Sequence, residues 1–117
     1  MLFFNRFTKS FLYAIHGLSY TWRHEPNFRI QLVAAFLVII AGLSFSISRS
    51  EWLIIFLVIS SVLVLELLNS AVETLTDLVK PRLHEYVRLI KDMMASAVLV
   101  ASVAAIVIGL AIFIPYL

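Results

Sequence analysis

The chain has no cysteine, and only three glycines and three prolines among its 117 residues. Without cysteine there is no disulfide framework, zinc–thiolate centre or iron–sulfur cluster. Gly17, Gly42 and Gly109 are too far apart to build G-x-x-x-x-G-K-[ST] or G-x-G-x-x-G. A nucleotide site of P-loop, protein-kinase or Rossmann type is therefore excluded. His16, His24 and His84 are not spaced as zinc ligands, and no H-E-x-x-H occurs. Charge is scarce as well. Charged residues make up 14% of the chain, against about 25% in an average soluble domain. The net charge of +2 is scattered, which excludes a nucleic-acid partner. What abounds is hydrocarbon: 62% of residues are hydrophobic and mean hydropathy is +1.03. Disordered chains and ordinary soluble domains lack that composition, and small polytopic membrane proteins have it.

Three apolar runs stand out. Ile30 to Ser48 is 19 residues without Asp, Glu, Lys or Arg, Trp52 to Leu65 is 14, and Met93 to Leu117 is 25. A helix needs about 20 residues to cross the hydrocarbon core. The first and third runs qualify alone. The second spans only if Glu66, and with it Glu73, lies in the membrane or at its edge. The pattern predicts an all-α membrane protein of one domain, residues 1–117, with transmembrane helices over about 29–48, 52–76 and 92–115. Arg6, Lys9, Arg23 and Arg29 precede the first span. Arg49 lies in the 44–51 turn, Lys80, Arg82, Arg88 and Lys91 lie in the 78–92 connection, and no basic residue follows the third span. The positive-inside rule then puts the N-terminus and the 78–92 loop in the cytoplasm and the C-terminus outside. Trp52 and Tyr116 suit the outer interface.

The first 23 residues do not read as a cleavable signal, because Arg6, Lys9 and His16 interrupt their apolar character; a surface helix is expected over 1–24 instead. Phe4, Phe7, Phe11, Ile15 (or Ala14), Leu18 and Trp22 recur every three or four positions and share one helix face. This is the pattern of an amphipathic helix lying in the membrane interface. Pro26 marks the break before the first span.

Polar residues inside the second run carry the chemical information. Glu66, Asn69, Glu73 and Asp77 sit at i, i+3, i+7 and i+11, on one stripe of a helix. Glu66 and Glu73 are separated by about 10 Å along the axis. A charge at membrane depth costs at least about 2.5–3.5 kcal/mol, so such residues usually face a bundle interior and act there. The plainer alternatives are that Asn69 and Ser70 pin neighbouring helices and that Asp77 is solvated. Lys91-Asp92 opens the third span at the same membrane face, where Glu25 and Arg29 also lie. Alone, Lys91 would be a snorkelling anchor, and Glu25 and His84 would be solvated. Together, carboxylates with nearby Lys and Arg suit Mg²⁺ and nucleotide phosphates, because Mg²⁺ is held by one or two carboxylates plus phosphate oxygens.

Glu66-Leu-Leu-Asn69-Ser70-Ala71-Val72-Glu73 with Asp77, followed by Lys91-Asp92-Met93, resembles the signature of the bacterial integral-membrane diacylglycerol kinases, a family that includes the undecaprenol kinases of Gram-positive bacteria. Tyr13, Gly17-Leu18, Trp22, Glu25 and Asn27-Phe28-Arg29 extend the likeness over nearly the whole chain. The Glu25-to-Gln31 stretch is closer to the undecaprenol-kinase branch. Ile90, Met94 and Arg82 depart from the pattern around the adenine contacts. The resemblance implies transfer of the ATP γ-phosphoryl group to a lipid hydroxyl, in the bacterial inner (plasma) membrane, by a homotrimer with sites shared between subunits. By matched position it implies that Glu66 is the general base and that Asn69 orients Glu66 or the substrate. Glu25 and Glu73 would hold the metal, Mg²⁺. Lys91, Asp92 and Asp77 would contact the nucleotide, with Arg6, Tyr13 and His84.

The residues by themselves leave two other readings. Glu66 could be the carboxylate of a small proton or cation transporter or channel, or the stripe could serve only assembly, in a membrane scaffold.

Overall fold

The computed structural model describes residues 2–79 and 84–117. Four α-helices follow one another: α1 (Leu2–His24), α2 (Pro26–Phe45), α3 (Arg49–Val79) and α4 (His84–Phe113), with a 3₁₀ turn at Ile114–Tyr116. No strand occurs among the described residues. α2, α3 and the segment from α4 through the 3₁₀ turn are each long and apolar enough to cross a membrane. The all-α membrane architecture expected from the sequence is the one observed. Lys80 and Arg82 lie outside the described residues.

The helix boundaries have local causes. Glu25 adopts an extended backbone (φ −116°, ψ 102°) and Pro26 opens α2, where proline's missing N–H and fixed φ suit a first turn. The turn between α2 and α3 shrinks to residues 46–48. Ser46 closes α2 in the left-handed conformation, φ 52° and ψ 53°. Ser48 and Glu51 then form a capping box, with the Ser48 N–H donating to Glu51 Oε1 at 2.9 Å and the Glu51 N–H to Ser48 Oγ at 3.3 Å. This satisfies amide groups that would otherwise be orphaned at the start of α3.

α3 is the central helix. α4 packs along it most extensively, α2 less so, and α1 touches α2 and α3 locally. The apolar core gathers at the α2–α3 turn, where Ile47, Ile55 and Ile112 are buried with Trp52 and Phe113 against them. Phe45 joins this end, its ring 6.0 Å from Phe113 and 6.1 Å from Tyr116, and the Tyr116 hydroxyl donates to Glu51. Most other large apolar side chains of the spans, such as Phe36, Phe56 and Val100, are exposed on the chain's own surface. In a bilayer that exposure carries no hydrophobic penalty, because lipid tails are as apolar as leucine.

Gly42 is where this end is tightest. A Cβ there would sit 2.7 Å from Trp52 Cη2 and 3.1 Å from Ile47 Cδ1. Gly42→Ala is expected to destabilise the fold by about 1–3 kcal/mol through overpacking, read as a lowered midpoint of thermal unfolding in detergent micelles. An unchanged midpoint would mean that the Trp52 ring shifts freely.

Candidate active site

The opposite end of the bundle holds the polar side chains. Glu66, in the middle of α3, is 1% exposed. Neither of its carboxylate oxygens has a hydrogen-bond partner among the described residues. Glu25 and Glu73 lie within electrostatic reach of it, and the side chain of Gln31 on α2 comes near it without making a hydrogen bond. Seven residues along α3, Glu73 meets Glu25 side chain to side chain and feels the charges of Lys91 and Asp77. Lys91 Nζ donates to Asp77 Oδ1 at 2.9 Å, tying α4 to the end of α3. Glu25, Glu66, Glu73, Asp77 and Lys91 thus form one cluster contributed by three segments.

Glu25 takes part because of its local backbone. As the residue capping α2, its carbonyl accepts from the N–H groups of Phe28 (3.1 Å) and Arg29 (3.4 Å). Its side chain makes no cap hydrogen bond, which leaves the carboxylate for Glu73. Arg29 fastens the same corner. Its guanidinium donates to the carbonyls of Trp22 (3.2 Å) and Arg23 (3.3 Å) at the end of α1, where a cation complements the helix dipole. Thr21, buried one turn earlier, donates to the Gly17 carbonyl at 2.8 Å. Phe28, three residues after Glu25, is 2% exposed.

The other residues singled out by the sequence are placed differently. Asn69 is half-buried on α3, while Arg6, Tyr13, His84 and Asp92 are exposed. No side-chain hydrogen bond or ion pair joins Arg6, Tyr13, His84 or Asp92 to the carboxylate cluster among the described residues. Asp92 contributes its carbonyl, which accepts from Ser96 at 2.9 Å.

Two cavities flank the cluster. An open groove of about 760 Å³ runs between α2 and α4 over α3, from Asn27 and Gln31 to Phe113, with mostly aliphatic walls. A second, of about 540 Å³, lies between α1 and α3, bordered by Gly17, Thr21, Ser70 and Thr74. Gln31 and Ser70 both belong to this end, and each has a buried oxygen without a partner. From the sequence, Ser70 has only a helix-pinning role and Gln31 has none in the site. The available signal was an amide inside an otherwise uncharged apolar run.

The profile of the prokaryotic diacylglycerol kinase family matches residues 12–113. The chain belongs to this family. An undecaprenol kinase of Bacillus subtilis is 44% identical over 113 residues, 97% of this chain and 92% of that protein. A diacylglycerol kinase of Escherichia coli K12 is 30% identical over 104 residues, 89% of this chain and 85% of that protein. A diacylglycerol kinase of Synechocystis is 37% identical over 107 residues, 91% of this chain but 61% of that longer protein. Membership in the diacylglycerol kinase family makes the chain a membrane enzyme of the lipid-kinase class. The matched region contains every residue of the carboxylate cluster, Glu25, Glu66, Glu73 and Asp77, together with Lys91.

The donor set fits a divalent cation. Glu25 and Glu73 bring two like-charged carboxylates together, an arrangement that a cation stabilises and that offers the hard oxygens Mg²⁺ prefers. No group of three or more Asp, Glu, His or Cys is arranged to hold a metal among the described residues. A pair is nevertheless the protein share expected where substrate phosphates complete the coordination.

Proposed function

We propose that this chain transfers the γ-phosphoryl group of ATP to the hydroxyl of a membrane lipid alcohol, diacylglycerol or undecaprenol, at the cytoplasmic face of a bacterial plasma membrane. The observation that carries this reading is Glu66: a buried carboxylate without a hydrogen-bond partner among the described residues, inside an apolar helix, beside the Glu25–Glu73 pair. Phosphoryl transfer asks mainly for positioning and charge neutralisation, which a helix bundle can supply without a nucleotide-binding fold. Residues 1–117 act as one lipid-kinase domain in which α1 lies on the membrane surface, the N-terminus is cytoplasmic and the C-terminus is outside.

In the proposed reaction Glu66 takes the proton of the lipid hydroxyl as the alcohol oxygen forms its bond to the γ-phosphorus and the bond to the β-phosphate oxygen breaks, releasing ADP. Asn69 lies one turn along α3, in position to orient Glu66 or the acceptor. Glu25 and Glu73 would hold Mg²⁺, which when bound neutralises phosphate charge. Lys91 and Asp77, already paired, face the nucleotide with Asp92. A lipid alcohol lying in the aliphatic groove would bring its hydroxyl to the level of Gln31, where that groove ends. Arg6, Tyr13 and His84 stand outside the cluster in a single chain, which supports a nucleotide site completed by another copy in a homotrimer.

A phosphotransfer assay with radiolabelled ATP and Mg²⁺ in mixed micelles, run with diacylglycerol and undecaprenol in parallel, tests this directly. Label in one lipid confirms the kinase and names its acceptor. Label in neither, from folded protein, overturns the reading and favours ion flux through Glu66, measured in proteoliposomes.

A further inference from the structure

Buried side-chain oxygens without hydrogen-bond partners belong to three of the described residues: Glu66 (both carboxylate oxygens), Gln31 (Oε1) and Ser70 (Oγ). An orphaned buried polar atom is costly in a native structure and calls for a reason. Ser70 borders the cavity between α1 and α3. Gln31 instead comes from a different helix and approaches Glu66 itself.

The approach follows from the helix geometry. Gln31 is three residues after Phe28, so it shares the face that buries Phe28. It also stands on the wall of the aliphatic groove, which makes it the polar residue between the groove and the carboxylate. An ionised carboxylate can only accept hydrogen bonds, and a glutamine amide both donates through its NH₂ and accepts through its oxygen. With its NH₂ toward Glu66, Gln31 can fix the direction in which the carboxylate points while its Oε1 stays available to an incoming hydroxyl. Water is excluded here, so one such contact weighs more than at a surface.

We propose that Gln31 is a positioning residue for Glu66: its side-chain amide orients the buried carboxylate toward the acceptor hydroxyl. The catalytic part of this inference rests on the lipid-kinase reading, whereas the contact itself does not. A general base must lie within hydrogen-bond reach of the proton it removes, and among the described residues no hydrogen bond fixes the Glu66 carboxylate, so a nearby amide is what is left to orient it.

Two measurements test it. Gln31 is the only glutamine in the chain, so ¹⁵N-glutamine labelling gives a single side-chain amide pair in the NMR spectrum of the full chain in micelles. Glu66→Ala is expected to move that pair clearly more than Leu57→Ala, a change at an exposed position elsewhere on α3. An unmoved pair overturns the proposal, whether or not the wild-type chain phosphorylates a lipid.

The second measurement is kinetic. Gln31→Met keeps the length and removes the amide. It is expected to lower kcat by on the order of tenfold to a hundredfold, as small misplacements of reacting groups do, with KM for ATP within about twofold of wild type. In a Glu66→Asp background, whose carboxylate is withdrawn from Gln31, the same change should cost less than about twofold, because residues that act as a unit are not additive. An equal loss in both backgrounds, or an unchanged kcat in the first, overturns the positioning role.

Discussion

Glu66→Gln is expected to lower phosphotransfer by on the order of 10²–10⁴-fold, the usual contribution of a positioned general base, without lowering thermal stability. Both halves come from the same observation. The carboxylate is buried, and neither of its oxygens has a hydrogen-bond partner among the described residues. A charge held at membrane depth costs at least about 2.5–3.5 kcal/mol, so the fold gains nothing from an ionised Glu66 that an apolar residue would not supply better. Glu66→Leu should therefore raise the unfolding midpoint in micelles while turnover disappears, the trade-off expected where function keeps a destabilising group in place. Radiolabel transfer and thermal unfolding on the same preparations check this. A Gln variant that keeps most of its turnover would show that another group takes the proton. A Leu variant that unfolds earlier would show that contacts of the Glu66 carboxylate, with Gln31 or another group, outweigh the cost of burying it.

The second large effect concerns the Glu25–Glu73 pair. Glu73→Gln preserves size and removes one of two carboxylates that meet side chain to side chain. At a separation of about 4 Å and an effective dielectric near 20, one unit charge is worth about 4 kcal/mol to another. Desolvation of the ion offsets part of this. The expected result is a rise of on the order of a hundredfold in the Mg²⁺ concentration giving half-maximal rate, since about 1.4 kcal/mol corresponds to each factor of ten. Glu25→Gln should behave alike, because the two side chains meet and the proposed Mg²⁺ site uses both. A Mg²⁺ titration of phosphotransfer at fixed ATP separates this from a loss of the base. Glu73→Gln should recover rate as Mg²⁺ rises, whereas Glu66→Gln should not. A Glu73 variant with an unshifted Mg²⁺ requirement would remove Glu73 from the metal site.

Much of the architecture was legible in the chain because the bilayer is a simple solvent. It demands long uncharged helices with every backbone group satisfied internally, and runs such as Ile30–Ser48 and Met93–Leu117 announce them. The interruption at Pro26 and the apolar periodicity of residues 4–22 set α1 apart from the spans. The alignment of Glu66, Glu73 and Asp77 was also legible, since a helix repeats every 3.6 residues and their spacing fixes a common stripe. Helix ends were less so. The turn expected over 44–51 contracts to 46–48 because Ser48 and Glu51 cap one another, a reciprocal contact that composition and hydropathy do not register.

The solvent, the number of spans and the stripe of polar residues on α3 follow from the order of residues alone, because these depend on local periodicity and on the cost of charge in hydrocarbon. Which residues from other helices meet that stripe is set by how the helices pack. Glu25, nearly fifty positions before Glu73, reaches it because the capping turn leaves its side chain uncommitted. Lys91 pairs with Asp77 across the α3–α4 connection. Gln31 faces Glu66 because Phe28 turns that side of α2 inward. Contacts between separate helices depend on their rotation and relative depth, which packing sets and periodicity within one helix does not.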